Sequence, residues 1–190
     1  MRAAPKPDPQ GILGQVAPPL YAGEHMFVLG IDPGLTTAGY GVIEASGSQV
    51  RAVAAGAIRT SADDPIQVRL REIYRDLSDL IAEYKPAEAA IEEVFVNRNL
   101  QTATSVGRAS GVALLAIAEA GLPVSEYTPS AVKMALCGNG RADKAQVQRV
   151  VALRLGLDSA PKPADAADAL AVALCHTQYA PMRRAIERAT

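Results

Sequence analysis

The chain has 190 residues, 49% of them hydrophobic and 21% charged, with a net charge of −1. That length accommodates one α/β domain with a sizeable core and excludes two large ones, and the balanced composition excludes a fibrous or wholly disordered chain. No apolar run approaches the ~18 residues of a membrane span.

The first 25 residues carry Pro5, Pro7, Pro9, Pro18 and Pro19 and no uninterrupted apolar stretch. They are expected to form an extended or disordered tail rather than a secretion signal. Met26 opens the first strand, "MFVLGID", and is a candidate functional start. "AGYGVIEAS" (38–46) and "QVRAVAAGAIRT" (49–60) follow as second and third strands of an antiparallel meander. Leu70, Ile73, Tyr74, Leu77, Ile81 and Tyr84 then recur at helical spacing, which predicts an amphipathic helix over about 64–84, with Asp63 and Asp64 near its start and Pro86 at its end. "AEAAIEEVFV" (87–96) reads as a fourth strand buried on both faces.

Residues 101–120 form a long helix rich in small side chains, and 123–128 a short fifth strand. A helix follows from Pro129, whose ring suits a first helical turn. Asp143 is placed to cap a helix over 144–155 that Gly156 stops. "PADAADALAVALCHTQ" (163–178) is the last helix, leaving 179–190 as a C-terminal tail with a short basic stretch. The order predicts an α/β domain over 26–178: a mixed five-stranded sheet with helices on both faces.

Charge is distributed unevenly. Residues 61–93 hold nine acids and four bases (net −5), whereas 97–154 hold seven bases and three acids (net +4). A basic second half is weak evidence for a polyanionic partner, and on charge alone solvated helix faces explain it better. Cys137 and Cys175 make no C-x-x-C pair, so neither a zinc site nor a disulfide framework is indicated, and a cytoplasmic location fits. His25 and His176 are isolated and carry no metal-ligand signature.

Four acids stand in apolar places. Asp32 ends the first strand before Pro33-Gly34; alone, it reads as well as a turn residue satisfied by backbone N–H groups. Glu92 and Glu93 interrupt the fourth strand and point to opposite sides, so at most one of them can join Asp32. Periodicity does not say which. Asp165 and Asp168 lie three apart on one helix face. A helix start explains Asp165 comfortably and Asp168, inside "AADALAVAL", poorly. Clustered carboxylates with no buried Lys or Arg run nearby call for cations, and all-oxygen donors select Mg²⁺ or Mn²⁺ over zinc. Four carboxylates match two divalent ions, the arrangement used for in-line phosphodiester displacement.

"LGIDPGLTTAGYGVI", "AIEEVFVNRN", "GNGRADKAQVQ" and "ADAADALAVALCH" resemble, in order and spacing, the RuvC-type Holliday junction resolvases. The resemblance covers roughly Met26 to His176. It implies an RNase H-like fold and a metal-dependent endonuclease, with two Mg²⁺ (or Mn²⁺) ions per site, that resolves four-way DNA junctions by paired symmetric nicks. Asp32, Glu92, Asp165 and Asp168 match the family's catalytic acids, favouring Glu92 over Glu93. Lys133 and Lys144 match lysines near the scissile phosphate. Phe95 matches an aromatic that stacks on an unpaired base, and Arg98 and Asn99 match loop positions that approach DNA. Arg141, in the Gly-rich loop, is a further DNA-binding candidate. The resemblance also implies a homodimer cooperating with the RuvA–RuvB branch-migration complex, with no membrane and no nucleotide cofactor.

Other readings compete. An ATP-binding protein of the actin, Hsp70 and sugar-kinase type shares the initial strand and glycines, but needs a second phosphate loop and a second domain. A non-catalytic branched-DNA binder gains nothing from acids that repel phosphates. An RNase H-like nuclease on another nucleic acid is not excluded by the acids; Phe95, Lys133 and Lys144 favour the resolvase.

Overall fold

The computed structural model describes residues 25–94 and 100–187, the side chains only as far as residue 179. Strands β1 (Met26–Asp32), β2 (Thr37–Ser46) and β3 (Gln49–Arg59) form the expected meander. β4 (Glu88–Glu92) and β5 (Val124–Tyr127) extend the sheet on the other side of β1, both parallel to it, in the order β3-β2-β1-β4-β5. β4 is shorter than the apolar run suggests: it stops at Glu92, where the chain leaves the sheet.

Two cores lie on opposite faces. On one, α1 (Ile66–Tyr84) and α2 (Leu100–Glu119) cover Leu29, Ile31, Tyr40, Val42 and Ile91. Ile73, Leu77 and Ile81 of the expected stripe are buried there, joined by Leu80. The helix starts at Ile66 after Pro65, with no side-chain cap, so Asp63 and Asp64 are exposed loop residues rather than first-turn acids. It ends at Tyr84; Lys85 takes a left-handed conformation (φ 47°) before Pro86, which cannot continue the helix.

On the other face lie α3 (Pro129–Cys137), α4 (Lys144–Leu155) and α5 (Ala164–Glu187), with Val28, Ile43, Ala90 and Tyr127 beneath them. Thr128 caps α3, its hydroxyl accepting from the Ala131 N–H at 3.2 Å. Asp143 caps α4 as expected, accepting from the Gln146 N–H at 2.7 Å, and Gly156 ends that helix in the left-handed region. α5 continues to Glu187, through most of the segment expected as a tail. Among the described residues no helix is long and apolar enough to cross a membrane.

α5 lies on glycine. Gly30 of β1 pairs with Gly41 of β2, and Asp32 with Gly39, so all four share one face. A Cβ on Gly30 would sit 2.1 Å from the Ala169 carbonyl oxygen, one on Gly39 2.1 Å from that of Asp165, and one on Gly41 2.8 Å from the Leu170 side chain. The helix backbone therefore rests almost directly on the strands.

Candidate active site

That close seating brings the acids together. Asp165 lies over Gly39, the residue paired with Asp32. The parallel pairing of Gly30 with Ala90 places Glu92, two residues on, on the same side of the sheet as Asp32, two residues beyond Gly30. Register thus separates Glu92 from Glu93: Glu93 lies just past the strand, exposed, its N–H bonded to the Tyr127 carbonyl.

Electrostatics agree with the geometry. Burial pushes the Asp32 carboxyl up to about 7, and the charges of Glu92, Asp168 and Asp165 add to it, with Lys144 opposing. Burial, then Asp168, holds Glu92 above its ordinary range against the pull of Lys133 and Lys144. Lys144 donates to Asp168 Oδ2 at 2.6 Å, and this bond, with Asp165 and Asp32 nearby, raises its own pKa despite partial burial. Of the sequence-predicted residues, Glu92, Asp165, Asp168 and Lys144 therefore act on Asp32, and Lys133 acts on Glu92. Arg141 is exposed in the turn before α4, its N–H bonded to Asn139 Oδ1. Phe95, Arg98 and Asn99 lie outside the described residues.

Among the described residues, no three His, Cys, Asp or Glu side chains are drawn together into a ready-made metal cage. Like-charged carboxylates do not close on one another unaided, and Asp168 turns to Lys144 instead. The donor set nevertheless fits a hard divalent cation: all-oxygen, in excess over the cations beside it, and with one member forced toward its neutral form by burial and by its neighbours' negative charge.

Residues not singled out from sequence support this arrangement. The loop after Asp32 is clamped: Thr60 donates its hydroxyl to the Leu35 carbonyl (2.6 Å), while Arg69 donates to Thr60 Oγ1 (2.8 Å) and Thr36 Oγ1 (2.9 Å). The glycine seat was legible in principle from Gly39 and Gly41 alternating within β2, but nothing local says that a helix backbone lies above them.

The family model described as crossover junction endodeoxyribonuclease RuvC matches residues 28–176. The chain is 52% identical over 160 residues to the crossover junction endodeoxyribonuclease RuvC of Moorella thermoacetica, covering 84% of this chain and 95% of that one. It is 54% identical over 150 residues to that of Heliobacterium modesticaldum, covering 79% and 93%. The chain belongs to the RuvC family. Among solved structures it matches Thermus thermophilus RuvC in complex with Holliday junction substrate, with a TM-score of 0.79 and 41% identity over 83% of this chain and 96% of that one. The yeast mitochondrial Holliday junction resolvase Ydc2, 12% identical, shares the fold at a TM-score of 0.56. The mixed sheet with helices on both faces is the RNase H-like fold of RuvC, and nucleases of the RuvC family depend on divalent metal.

Proposed function

We propose that the chain resolves four-way DNA junctions by nicking two strands symmetrically, leaving 5′-phosphate and 3′-hydroxyl ends, with Asp32, Glu92, Asp165 and Asp168 holding two Mg²⁺ (or Mn²⁺) ions. The observation that carries this reading is the mutual charge coupling of four acids from three separate elements, β1, β4 and α5. Isolated in a protein interior, such a group is destabilising, so its retention points to a cationic ligand.

In each nick a water oxygen bonds to phosphorus and the P–O3′ bond breaks. Divalent ions bound to the carboxylates would lower the pKa of that water and steady the departing 3′ oxygen. The chain's own contribution is placement and charge. Lys144, the first residue of α4, follows a Gly-rich loop and carries an exposed ammonium beside the acids. It is positioned to stabilise negative charge developing on the phosphate oxygens. Lys133, from α3, approaches Glu92 and offers a second cation to the same phosphate region. Arg141 suits a backbone phosphate contact. Phe95 is proposed to stack on an unpaired base, with Arg98 and Asn99 approaching the adjoining DNA.

Paired nicking calls for two sites. The exposed face of α2 carries Gly107, Gly111 and Leu115, and a Cβ at either glycine would meet nothing within 4 Å. That open, small-residue face supports a two-fold homodimer, which would set one site against each of two opposed strands. Cooperation with RuvA–RuvB in recombinational repair in the cytoplasm completes the proposal.

The test is cleavage of a synthetic immobile junction by wild type and Asp168→Asn, with and without Mg²⁺. Wild type is expected to cut only with Mg²⁺, and the variant to bind the junction without cutting. A variant that cuts as fast as wild type removes Asp168 from the metal site.

A further inference from the structure

The glycine seat that lets α5 approach the sheet also leaves it little to grip. Gly30, Gly39 and Gly41 below face Ala169, Leu170, Ala173 and the helix backbone above, an apolar contact that is not directional along the strands. A buried polar contact adds direction. His176 of α5, 3% exposed, is bonded through Nε2 to Glu88 Oε2 at 2.5 Å and through Nδ1 to the Tyr127 hydroxyl at 3.0 Å. The carboxylate only accepts, so the ring donates to it from Nε2, and Nδ1 shares the second bond with the Tyr127 hydroxyl.

The two partners sit at different heights on the sheet. Glu88 opens β4, while Tyr127 closes β5 and pairs in register with Glu92, four residues further along. That offset is about 13 Å of strand. His176 thus ties α5 to two strands at once, and a slide of the helix along the sheet disturbs these bonds. The tyrosine ring also stacks against Tyr179, one helical turn on (centroids 5.9 Å, 23° between planes).

We propose that Glu88, Tyr127 and His176 are positioning residues that set the axial register of α5, and through it the placement of Asp165 and Asp168 against Asp32 and Glu92. His176 lies eight residues past Asp168, about 12 Å along a rigid helix, so a shift at one is delivered nearly undiminished at the other. A displacement near 1 Å at a catalytic group costs on the order of 10²-fold in rate.

This inference rests on the four-acid reading of the site, and the experiment separates the two. Tyr127→Phe, which keeps ring and volume, and His176→Leu are compared with wild type and Asp168→Asn. The readouts are single-turnover junction cleavage, Mn²⁺ affinity by calorimetry without DNA, and junction affinity without metal. The expected result for both positioning variants is cleavage slowed ten- to a hundredfold and Mn²⁺ binding weakened at least fivefold, with metal-free junction affinity within twofold of wild type. Should His176→Leu not fold, Tyr127→Phe decides the question alone. Cleavage and Mn²⁺ affinity within twofold of wild type, while Asp168→Asn is inactive, would overturn the register role and leave the metal site standing. Equal loss of cleavage and junction affinity would also overturn it, as general destabilisation. If Asp168→Asn cleaves normally, the four-acid reading falls first.

Discussion

The two faces of the sheet solve the same packing problem in different ways. Under α1 and α2, Leu29, Ile31, Tyr40 and Ile91 fill the space with bulk, and Tyr40 spreads over Gly56 of the neighbouring strand. Under α5, the alternate residues of the same strands are Gly30, Gly39, Gly41 and Ala90, and the helix backbone itself occupies the volume. The first face is stabilised by apolar burial and tolerates small adjustments of its helices. The second holds α5 close to the strands, so that carboxylates from a helix and two strand ends come within range of one another's charge. Bulk supplies stability; closeness supplies the site.

The comparison breaks most visibly at the acids. Asp168→Asn on the α5 face is expected to lower the cleavage rate on the order of 10³-fold while circular dichroism and melting remain those of a folded protein. Gly30→Ala tests the seat itself. Its methyl group would collide with the Ala169 carbonyl, so stability should fall by about 3 kcal/mol and cleavage should be lost even in the folded fraction. The matched change on the other face is Leu77→Ala in α1, where the side chain is 1% exposed. It should lose a similar ~3 kcal/mol in urea titration yet keep its single-turnover rate below its melting temperature. Equal kinetic damage from both substitutions would erase the distinction between the faces.

The pH dependence of the metal-free protein sharpens it. Asp32 titrates near 3.8 in the unfolded chain and near 7 when folded. Between those values the folded protein holds the extra proton, so stability falls as pH rises and the loss is complete above about 7. Asp32→Asn should flatten that slope and stabilise the neutral, metal-free protein by on the order of 1–3 kcal/mol, measured by urea titration in EDTA at pH 4, 6 and 8. The smallest effect concerns the approach of Lys144. Asp143→Ala removes the α4 cap and is expected to lower stability by ~1 kcal/mol, with a modest drop in cleavage as the first turn carrying Lys144 frays.

Much of this was legible along the chain. Strand β1, the α1 stripe from Ile73 to Ile81, the Asp143 cap and the Gly156 stop depend on alternation, helical spacing or one residue's local chemistry, and each stands where its pattern placed it. Boundaries set by tertiary contact were not. β4 stops at Glu92 although its apolar run continues, and α5 passes residue 178 although Pro181, a residue that locally argues for a stop, stands in its path. His176, without any metal-ligand signature, has its partners 49 and 88 residues away. No window of sequence brings those groups together.

By itself the sequence determined the identity and order of the elements, the four acids standing in apolar surroundings, and the motifs tying the chain to its family, because each is written in residues near one another. The tertiary structure gave the physical reason why Glu92, which the family motif already favoured over Glu93, shares a side with Asp32, and it alone decided that three glycines admit a helix backbone and that Lys144 pairs with Asp168. Those outcomes follow from strand register and from the distance between a helix and a sheet, which exist only once remote segments have packed.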